Sequence, residues 1–287
     1  MKSRLATSKS NKKMKDTISN GITYFFLTIG GLIMAVPFLW MLSTSLKTEG
    51  TVFSIPPKWI PDIFVWANYS NAVEQAQLVQ GLFNTLIIVI PSLVIGLFAC
   101  SLAAYGFAKI EFPGREQLFM ILLSTMMIPG IVTMVPSYII YKNLGWIDTF
   151  KPLMIPAMFG GAACIFFLRQ YFKNLPTELI EAAELDGLGY FGTFIRIALP
   201  LSKPAIASQA IFGFLGGYND YMGPLIYLNS PEKFTLQLKL ASFNGAYSSQ
   251  WTLIMAGSVL ALIPTILLFF FAQKYFIEGI VMTGLKG

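Results

Sequence analysis

The sequence predicts an all-α, polytopic membrane protein with six transmembrane helices. Of its 287 residues, 55% are hydrophobic and only 12% are charged, about half the charged fraction of an average soluble domain. Mean hydropathy is +0.65. The apolar residues are grouped into six runs, each long enough to cross a hydrocarbon layer of ~30 Å as a helix. A soluble globular domain, a disordered chain and a coiled coil are excluded.

The six runs are the predicted spans. Only Arg169 and Asp220 are charged within them. Runs such as Leu82–Phe98 do not alternate at period two, as barrel strands do, and lack the polar face of a surface helix in a soluble protein. Helices are therefore predicted for all six runs, and no second soluble domain is expected. The spans cover residues 22–46, 82–106, 118–140, 152–170, 204–228 and 252–272.

The distribution of basic residues predicts the orientation. Six spans put both ends of the chain on one side of the membrane. Of the 20 Lys and Arg residues, 14 fall on that side: Arg169 at the end of span four, and 13 in the basic segment 1–21, the loop between spans two and three, the segment 171–203 and the tail 273–287. Because cytoplasmic loops carry the excess of basic residues, both termini are predicted to be cytoplasmic.

Two longer segments are predicted on the opposite side. Residues 47–81 contain Pro56, Pro57 and Pro61, which favour extended chain over helix. The second segment covers residues 229–251.

Several kinds of chemistry are missing from the sequence. There is no histidine, and the two cysteines, Cys100 and Cys164, do not form a C-x-x-C pair, so no metal site and no disulfide framework is predicted. The phosphate-binding pattern G-x-x-x-x-G-K-[ST] and the G-x-S-x-G elbow are also absent. We expect a non-catalytic chain without a cofactor of its own.

The segment 171–203 is the largest on the predicted cytoplasmic side. Pro176 and Thr177 predict a helix start, and Gly187 can supply the positive φ of a helix C-cap. A second helix is expected from Tyr190 to Leu199, stopped by Pro200. A helix resting on anionic lipid usually has a basic polar face, whereas this one carries Glu178, Glu181, Glu184 and Asp186. A protein partner is therefore favoured over a membrane surface.

The same segment resembles a known family. Glu181-Ala182-Ala183 is followed by three residues, Gly187, nine further residues and Ile197-Ala198-Leu199-Pro200. This spacing resembles the EAA loop of binding-protein-dependent ABC importer permeases. The C-terminal region, Gln273 to Gly287, is similar to the smaller permease of maltose-type carbohydrate importers. The likeness covers nearly the whole chain from residue 20.

The resemblance implies a function and a set of partners. The EAA loop is expected to be a cytoplasmic coupling helix that docks on one of two ATPase subunits, which would hold ATP and Mg. A second, homologous permease would complete a heterodimer, and an extracytoplasmic sugar-binding protein would deliver a di- or oligosaccharide for import by alternating access. The chain would lie in a bacterial cytoplasmic membrane, in contact with lipid and without nucleic acid. The implied coupling residues are Glu178, Glu181, Ala182, Ala183, Asp186, Gly187 and Phe191.

The resemblance also implies two further contacts, which rest on the position of a segment in the chain rather than on a sequence motif. The tail Val281 to Gly287 is expected to point toward the ATPase. The binding protein is expected to contact the last external loop, at Asn244, Gly245, Ala246 and Tyr247.

Asp220 is the only acid within a span. Because a charge is costly in hydrocarbon, its side chain should face protein or water. It can reach the interface, brace neighbouring helices through Asn219, or line a translocation path with Asn219, Tyr221 and Tyr138. Aromatic side chains can stack on a sugar ring, but they equally pack helices together.

Two other classes of protein stay open. An ion-coupled secondary transporter or channel predicts polar or charged residues along several spans and no large inside elbow. An intramembrane enzyme needs a catalytic constellation that the sequence does not display. The identity of the sugar is also open, and polyols, acidic sugars and glycerol phosphate diesters remain candidates.

Overall fold

The computed structural model describes the backbone of residues 2–245 and 249–284 and the side chains of residues 20–245 and 249–273. Within these ranges the chain is mostly helical, and its β pairing is limited to an isolated bridge between Asn244 and Ser249. The prediction of an all-α fold is confirmed.

The helices are numbered in chain order. Short 3₁₀ turns cover Glu49–Thr51, Thr125–Met127 and Pro231–Lys233, and a π-helical turn covers Phe194–Ala198. The helices are α1 (Lys2–Ser45), α2 (Ala67–Gln75), α3 (Leu78–Lys109), α4 (Arg115–Ser124), α5 (Gly130–Asn143), α6 (Lys151–Met158), α7 (Ala162–Lys173), α8 (Thr177–Leu185), α9 (Tyr190–Thr193), α10 (Leu199–Leu201), α11 (Lys203–Tyr218), α12 (Met222–Tyr227), α13 (Leu236–Ala241) and α14 (Trp251–Gly284).

Several helical segments are long and apolar enough to cross a membrane. In the described part of the chain there are four: Asn20–Ser45, Leu78–Lys109, Lys151–Lys173 and Trp251–Gln273. A fifth is added if the pair Arg115–Met127 and Gly130–Asn143, which is bent by 95°, counts as one span. A polytopic membrane protein is therefore confirmed, with four or five candidate spans by length and composition.

The predicted third span, 118–140, is not one continuous helix. Ile128 and Pro129 are extended, with ψ of 112° and 133°. A proline disfavours the helical conformation of the residue before it, and it has no N–H for the preceding turn. The bend of 95° follows from these two residues.

The prediction of a continuous helix over residues 204–228 is also wrong. The helix stops at Tyr218 and resumes at Met222. The side-chain amide of Asn219 donates to the Leu215 carbonyl at 2.9 Å, and Asp220 accepts from the Gly223 N–H at 3.2 Å. These short polar side chains offer the backbone alternatives to the helical ladder.

The predicted fourth span is interrupted as well, between α6 and α7. Gly160 has a φ of +82°, and a Cβ there would lie 2.4 Å from the Cys100 sulfur of α3. Both the conformation and the close approach require glycine.

Helix α3, the most buried of the candidate spans, lies at the centre of the bundle. It packs against α6, α7, α11 and α13, while α14 packs against α1, α2 and α11. One buried cluster surrounds Tyr105, Phe172 and Phe194, and a second surrounds Tyr218 and Leu253. The two clusters lie toward opposite ends of α3.

Loops meet at both ends of the bundle. We name the end that carries Lys109, Arg169 and Thr177–Leu201 the elbow end. The loop end carries residues 46–81, 142–151 and 228–252. The helices α2 and α13 lie there, in segments where no helix was predicted. In α2, Asn68 and Ala72 are buried one turn apart.

At the loop end, Glu49 holds the start of α14. Its carboxylate accepts from the N–H groups of Trp251 and Thr252, at 2.8 and 3.0 Å, and from the Thr252 hydroxyl at 2.7 Å. The first N–H groups of a helix lack partners within the helix, and the helix dipole favours an anion there.

Asp148 joins two further loops at this end. Its carboxylate accepts from the N–H groups of Asn229 and Ser230, both at 2.9 Å, and pairs with the Lys233 ammonium at 2.8 Å. The Lys233 ammonium, followed by the Ser230 and Asn229 donors, holds the pKa of Asp148 well below its usual value.

The variant Asp148→Asn tests this junction. Asp148 has a φ of +60°, which asparagine tolerates, so the change removes charge without backbone strain. We expect the melting temperature of the detergent-solubilised protein to fall by a few degrees at pH 7.

The pH dependence has a defined sign. Because the folded pKa is depressed, the stabilisation is complete above the ordinary aspartate pKa of ~3.9 and is lost as pH falls below it. The difference in melting temperature should stay constant from pH 7 to pH 5. Asp62→Asn, in the exposed pair with Lys58, is the control and should have little effect. A melting temperature equal to that of wild type at pH 7 would contradict the role of Asp148.

Candidate functional site

The elbow formed by residues 177–201 begins with α8. This helix starts at Thr177, directly after Pro176, and ends before Gly187, which has a φ of +83°. The Gly187 N–H donates to the Glu184 carbonyl at 3.0 Å, and the Leu188 N–H donates to the Ala183 carbonyl at 2.9 Å. These are the two bonds of a Schellman C-cap. The predicted helix start and glycine C-cap are confirmed.

The second arm of the elbow covers Tyr190–Leu201. It does not stop at Pro200, as predicted, but continues to Leu201. The turn before the proline, Phe194–Ala198, is π-helical. In an ordinary α-helix, a proline ring clashes with the carbonyl four residues earlier and ends the helix. The wider π-helical turn relieves this clash, so the helix continues past Pro200.

The base of the elbow is anchored by aromatic packing. Phe194 is fully buried and lies 5.4 Å from the Tyr105 ring of α3 and 6.5 Å from the Phe172 ring of α7, between ring centroids. Ile180 and Ala183 of α8 are buried as well. The second arm is therefore fixed to two membrane helices at once.

Arg169 of α7 stabilises the helices next to the base of the elbow. Its side chain is 3% exposed and forms an ion pair with Glu116 of α4. It also donates to the Phe107 carbonyl of α3 at 3.0 Å and lies over the Phe119 ring at 3.9 Å. One α7 side chain thus joins the elbow ends of three helices. Lys109 adds a bond to the Leu175 carbonyl at 2.8 Å.

The outer face of the elbow is open and combines acid with apolar groups. Six of the seven predicted coupling residues lie there, while Ala183 turns inward and is 5% exposed. Leu185, which was not among the predicted site residues, is 89% exposed. Because Leu185 lies one helical turn after Glu181, the sequence alone could have placed it on the same face as that predicted coupling residue. The six exposed residues are Glu178, Glu181, Ala182, Asp186, Gly187 and Phe191.

A cavity of about 290 Å³ lies between α3, the α6–α7 break and the α11–α12 break. Asp220 lies in its wall. Asn219 and Tyr221 flank that aspartate and are exposed, and Tyr138 of α5 lies outside the wall. The wall is formed by Thr85, Ile88, Val89, Ser92, Leu93, Gly96, Leu97, Cys100, Leu153, Ala157, Gly160, Gly161, Cys164, Gln209, Gly213, Gly217, Asp220, Pro224 and Thr235.

The predicted contact loop for a binding protein is described only in part. Asn244 and Gly245 are exposed at the loop end. Ala246 and Tyr247 lie outside the described residues, as do the last three residues of the predicted tail contact. The side chains of the other tail residues, from Val281, also lie outside the described part.

Comparison with known families identifies this architecture. Residues 79–281 match the family described as "Binding-protein-dependent transport system inner membrane component". The chain belongs to this family. The resemblance first seen in the segment from Glu181 to Pro200 is confirmed, and this binding-protein-dependent permease is a multi-pass membrane subunit of an ABC transporter.

Two relatives extend the match along the chain. The permease is 34% identical over 273 residues to the "Arabinooligosaccharides transport system permease protein AraQ" of Bacillus subtilis (strain 168), covering 93% of this chain and 95% of that protein. It is 30% identical over 266 residues to the "Diacetylchitobiose uptake system permease protein NgcG" of Streptomyces coelicolor, covering 92% and 87%.

A solved structure has the same fold. It is the crystal structure of a bacterial ABC transporter involved in the import of the acidic polysaccharide alginate. One of its chains matches this permease with a TM-score of 0.79 and 23% identity, over 91% of this chain and 98% of that chain.

The positive φ of Gly187 predicts the effect of adding one methyl group at this position. Gly187→Ala forces an alanine into the left-handed region, at about 1 kcal/mol, which corresponds to roughly fivefold more frequent opening of the turn. Hydrogen exchange at the Gly187-position and Leu188 amides should accelerate by about that factor.

Gly189→Ala is the matched control. Gly189 has a φ of −75°, and a Cβ at either glycine meets no atom within 4 Å. Exchange in this variant should match wild type. Equal exchange rates for the two alanine variants would argue against a glycine-dependent cap.

Proposed function

We propose that this chain is the permease subunit of an ATP-driven importer for di- or oligosaccharides. It crosses a bacterial cytoplasmic membrane six times, with both termini and the elbow in the cytoplasm. It pairs with a second, homologous permease on two ATPase subunits, which hold ATP and Mg, and receives sugar from an extracytoplasmic binding protein. The names of the two relatives, which specify arabinooligosaccharides and diacetylchitobiose, support the substrate class.

One observation carries the coupling role most directly. The elbow presents exposed Leu185 and Phe191 beside four exposed acids, on a base that is buried in the bundle. An exposed apolar group with a charged rim is typical of a protein interface. Acidic groups beside anionic lipid are unfavourable, so a protein with a basic cleft is the better partner.

The proposed mechanism is alternating access. Closure of the ATPase dimer pushes the elbow, and its anchors to α3 and α7 transmit the displacement to the membrane helices. The two states must differ in the contacts that the ATPase makes, because a ligand shifts an equilibrium only through differential affinity.

Charge reversal on the elbow tests this role. In Glu181→Lys with Asp186→Lys, we expect the amount of ATPase that co-purifies with the permease to fall at least about tenfold, since each lost charge-assisted hydrogen bond is worth ~1.5–3 kcal/mol. The membrane domain should stay folded, with an unchanged elution volume in detergent.

Glu111→Lys is the control for charge alone. Glu111 is exposed and lies at the elbow end but outside the elbow. It should retain normal ATPase binding. Wild-type levels of ATPase on the double variant would refute docking at this face. Sugar uptake that is driven by an ion gradient and survives removal of ATP would favour a secondary transporter instead.

A further inference from the structure

The cavity wall contains polar groups without partners. Thr235 is 4% exposed, and its hydroxyl oxygen is buried without a hydrogen bond. Asp220 uses Oδ1 to accept from the Gly223 N–H, which leaves Oδ2 without a hydrogen bond among the described residues. The half-buried amide of Gln209 makes no hydrogen bond within that part of the chain either. Buried polar groups are normally paired, so the unpaired Thr235 hydroxyl, on the same wall as the half-buried Asp220 and Gln209 side chains, indicates a site for a polar ligand.

The other polar side chains of the wall are already engaged. The Thr85 hydroxyl donates to the Gly81 carbonyl at 2.9 Å and accepts from the Leu236 N–H. The Ser92 hydroxyl donates to the Ile88 carbonyl at 2.6 Å. Donors and acceptors for a ligand therefore come from Asp220, Thr235 and Gln209.

These groups define the chemistry of the ligand. An ionised carboxylate only accepts hydrogen bonds, a hydroxyl donates and accepts, and an amide does both. Hydroxyl groups at several positions of one molecule satisfy all three. An anion does not, because Asp220 is the only charged side chain in the wall and repels it at low dielectric. The remaining wall is largely apolar and suits the C–H faces of a ring.

We propose that this cavity within the single permease binds a neutral polyhydroxylated unit, a sugar or polyol ring, through Asp220, Thr235 and Gln209, and rejects carboxylated sugars. The inference rests on the proposed function and narrows its substrate class. The volume, about 290 Å³, lies near the lower limit of small-molecule pockets, ~300–1,000 Å³. It suits a small part of an oligosaccharide rather than a long chain.

The cavity carries its own reporters. Cys100 and Cys164 are the only cysteines of the chain, and both lie in the wall. The rate at which N-ethylmaleimide alkylates each thiol can be measured by peptide mass spectrometry in the complete transporter, reconstituted in nanodiscs. Arabinotriose, diacetylchitobiose and lactose serve as neutral probes, and digalacturonate serves as the acidic probe. We expect at least one neutral probe to slow alkylation and digalacturonate to have no effect.

Two variants separate binding from folding. Thr235→Val removes one hydroxyl at constant shape and should raise the concentration for half-protection about fivefold, the worth of one neutral hydrogen bond. Asp220→Asn keeps an acceptor for the Gly223 N–H but loses the charge, so digalacturonate should now protect the thiols. A purely structural role for Asp220 predicts no such gain. Thr44→Val is the control, because the Thr44 hydroxyl is also buried and unpaired but lies outside the cavity.

The outcomes are distinct. Protection of the wild-type thiols by digalacturonate, protection by none of the neutral probes, or an unchanged half-protection concentration in Thr235→Val would overturn the proposed site. ATP-driven sugar uptake is measured on the same preparation. If uptake depends on ATP while the site fails these tests, the permease function stands and only the cavity proposal is lost. If uptake does not depend on ATP, the proposed function fails.

Discussion

The structure depends on one constraint, which is that backbone N–H and C=O groups within a bilayer need partners from the protein. A continuous helix meets this requirement by itself. A broken helix does not, and non-helical backbone at membrane depth is tolerated only where protein covers it or where it lines a cavity. In this permease the breaks at Gly160 and Asp220 come together in the wall of one cavity. The Asp220 carboxylate then acts as the local cap that lets α12 begin.

The two ends of the bundle solve different problems. At the loop end, Glu49 and Asp148 use carboxylates to hold backbone N–H groups from distant segments. These bonds fix the loops to one another across large sequence separations. At the elbow end, buried aromatic rings and Arg169 provide the attachment, and the outer face of the elbow is left open. The elbow thus combines a buried base with an exposed outer face.

Sequence reasoning was successful where the determinants are local. The apolar runs fixed the class of protein, because the thickness of a bilayer sets the length of a spanning helix. Gly187 could be assigned a C-cap from its neighbours alone. The breaks in the spans were harder. A proline within a span, such as Pro129, indicates an interruption of the helix, but the size of the bend depends on how the flanking helices pack. At Gly160 the need for glycine arises from Cys100, 60 positions away in the sequence.

The cavity could not be predicted from the sequence, because it too is formed by residues that are far apart in the chain. The sequence marks Asp220 as the single acid of the spans, and a place on a translocation path is one of three interpretations. Thr235 has no signal in the sequence, since a threonine in a polar loop is unremarkable until the packing of α13 against α3 brings it to the wall. The aromatic character of Tyr138 groups it with Asp220 in the sequence, whereas the structure places it outside the cavity wall. Whether a polar side chain is paired depends on tertiary contacts that a sequence pattern does not contain.

The elbow and the cavity are mechanically connected through the two helices that flank the elbow. Helix α7 begins next to Gly161, in the cavity wall, and ends where the elbow starts. Helix α11 begins at the end of the elbow and stops just before Asp220. At 1.5 Å per residue these helices are only about 18 and 24 Å long, and a helix transmits displacement along its axis with little loss. In the proposed mechanism, a displacement of the elbow therefore acts on two parts of the cavity wall together. Because both breaks lie at the far ends of these helices, the wall can change shape there without disrupting the hydrogen bonds of either helix.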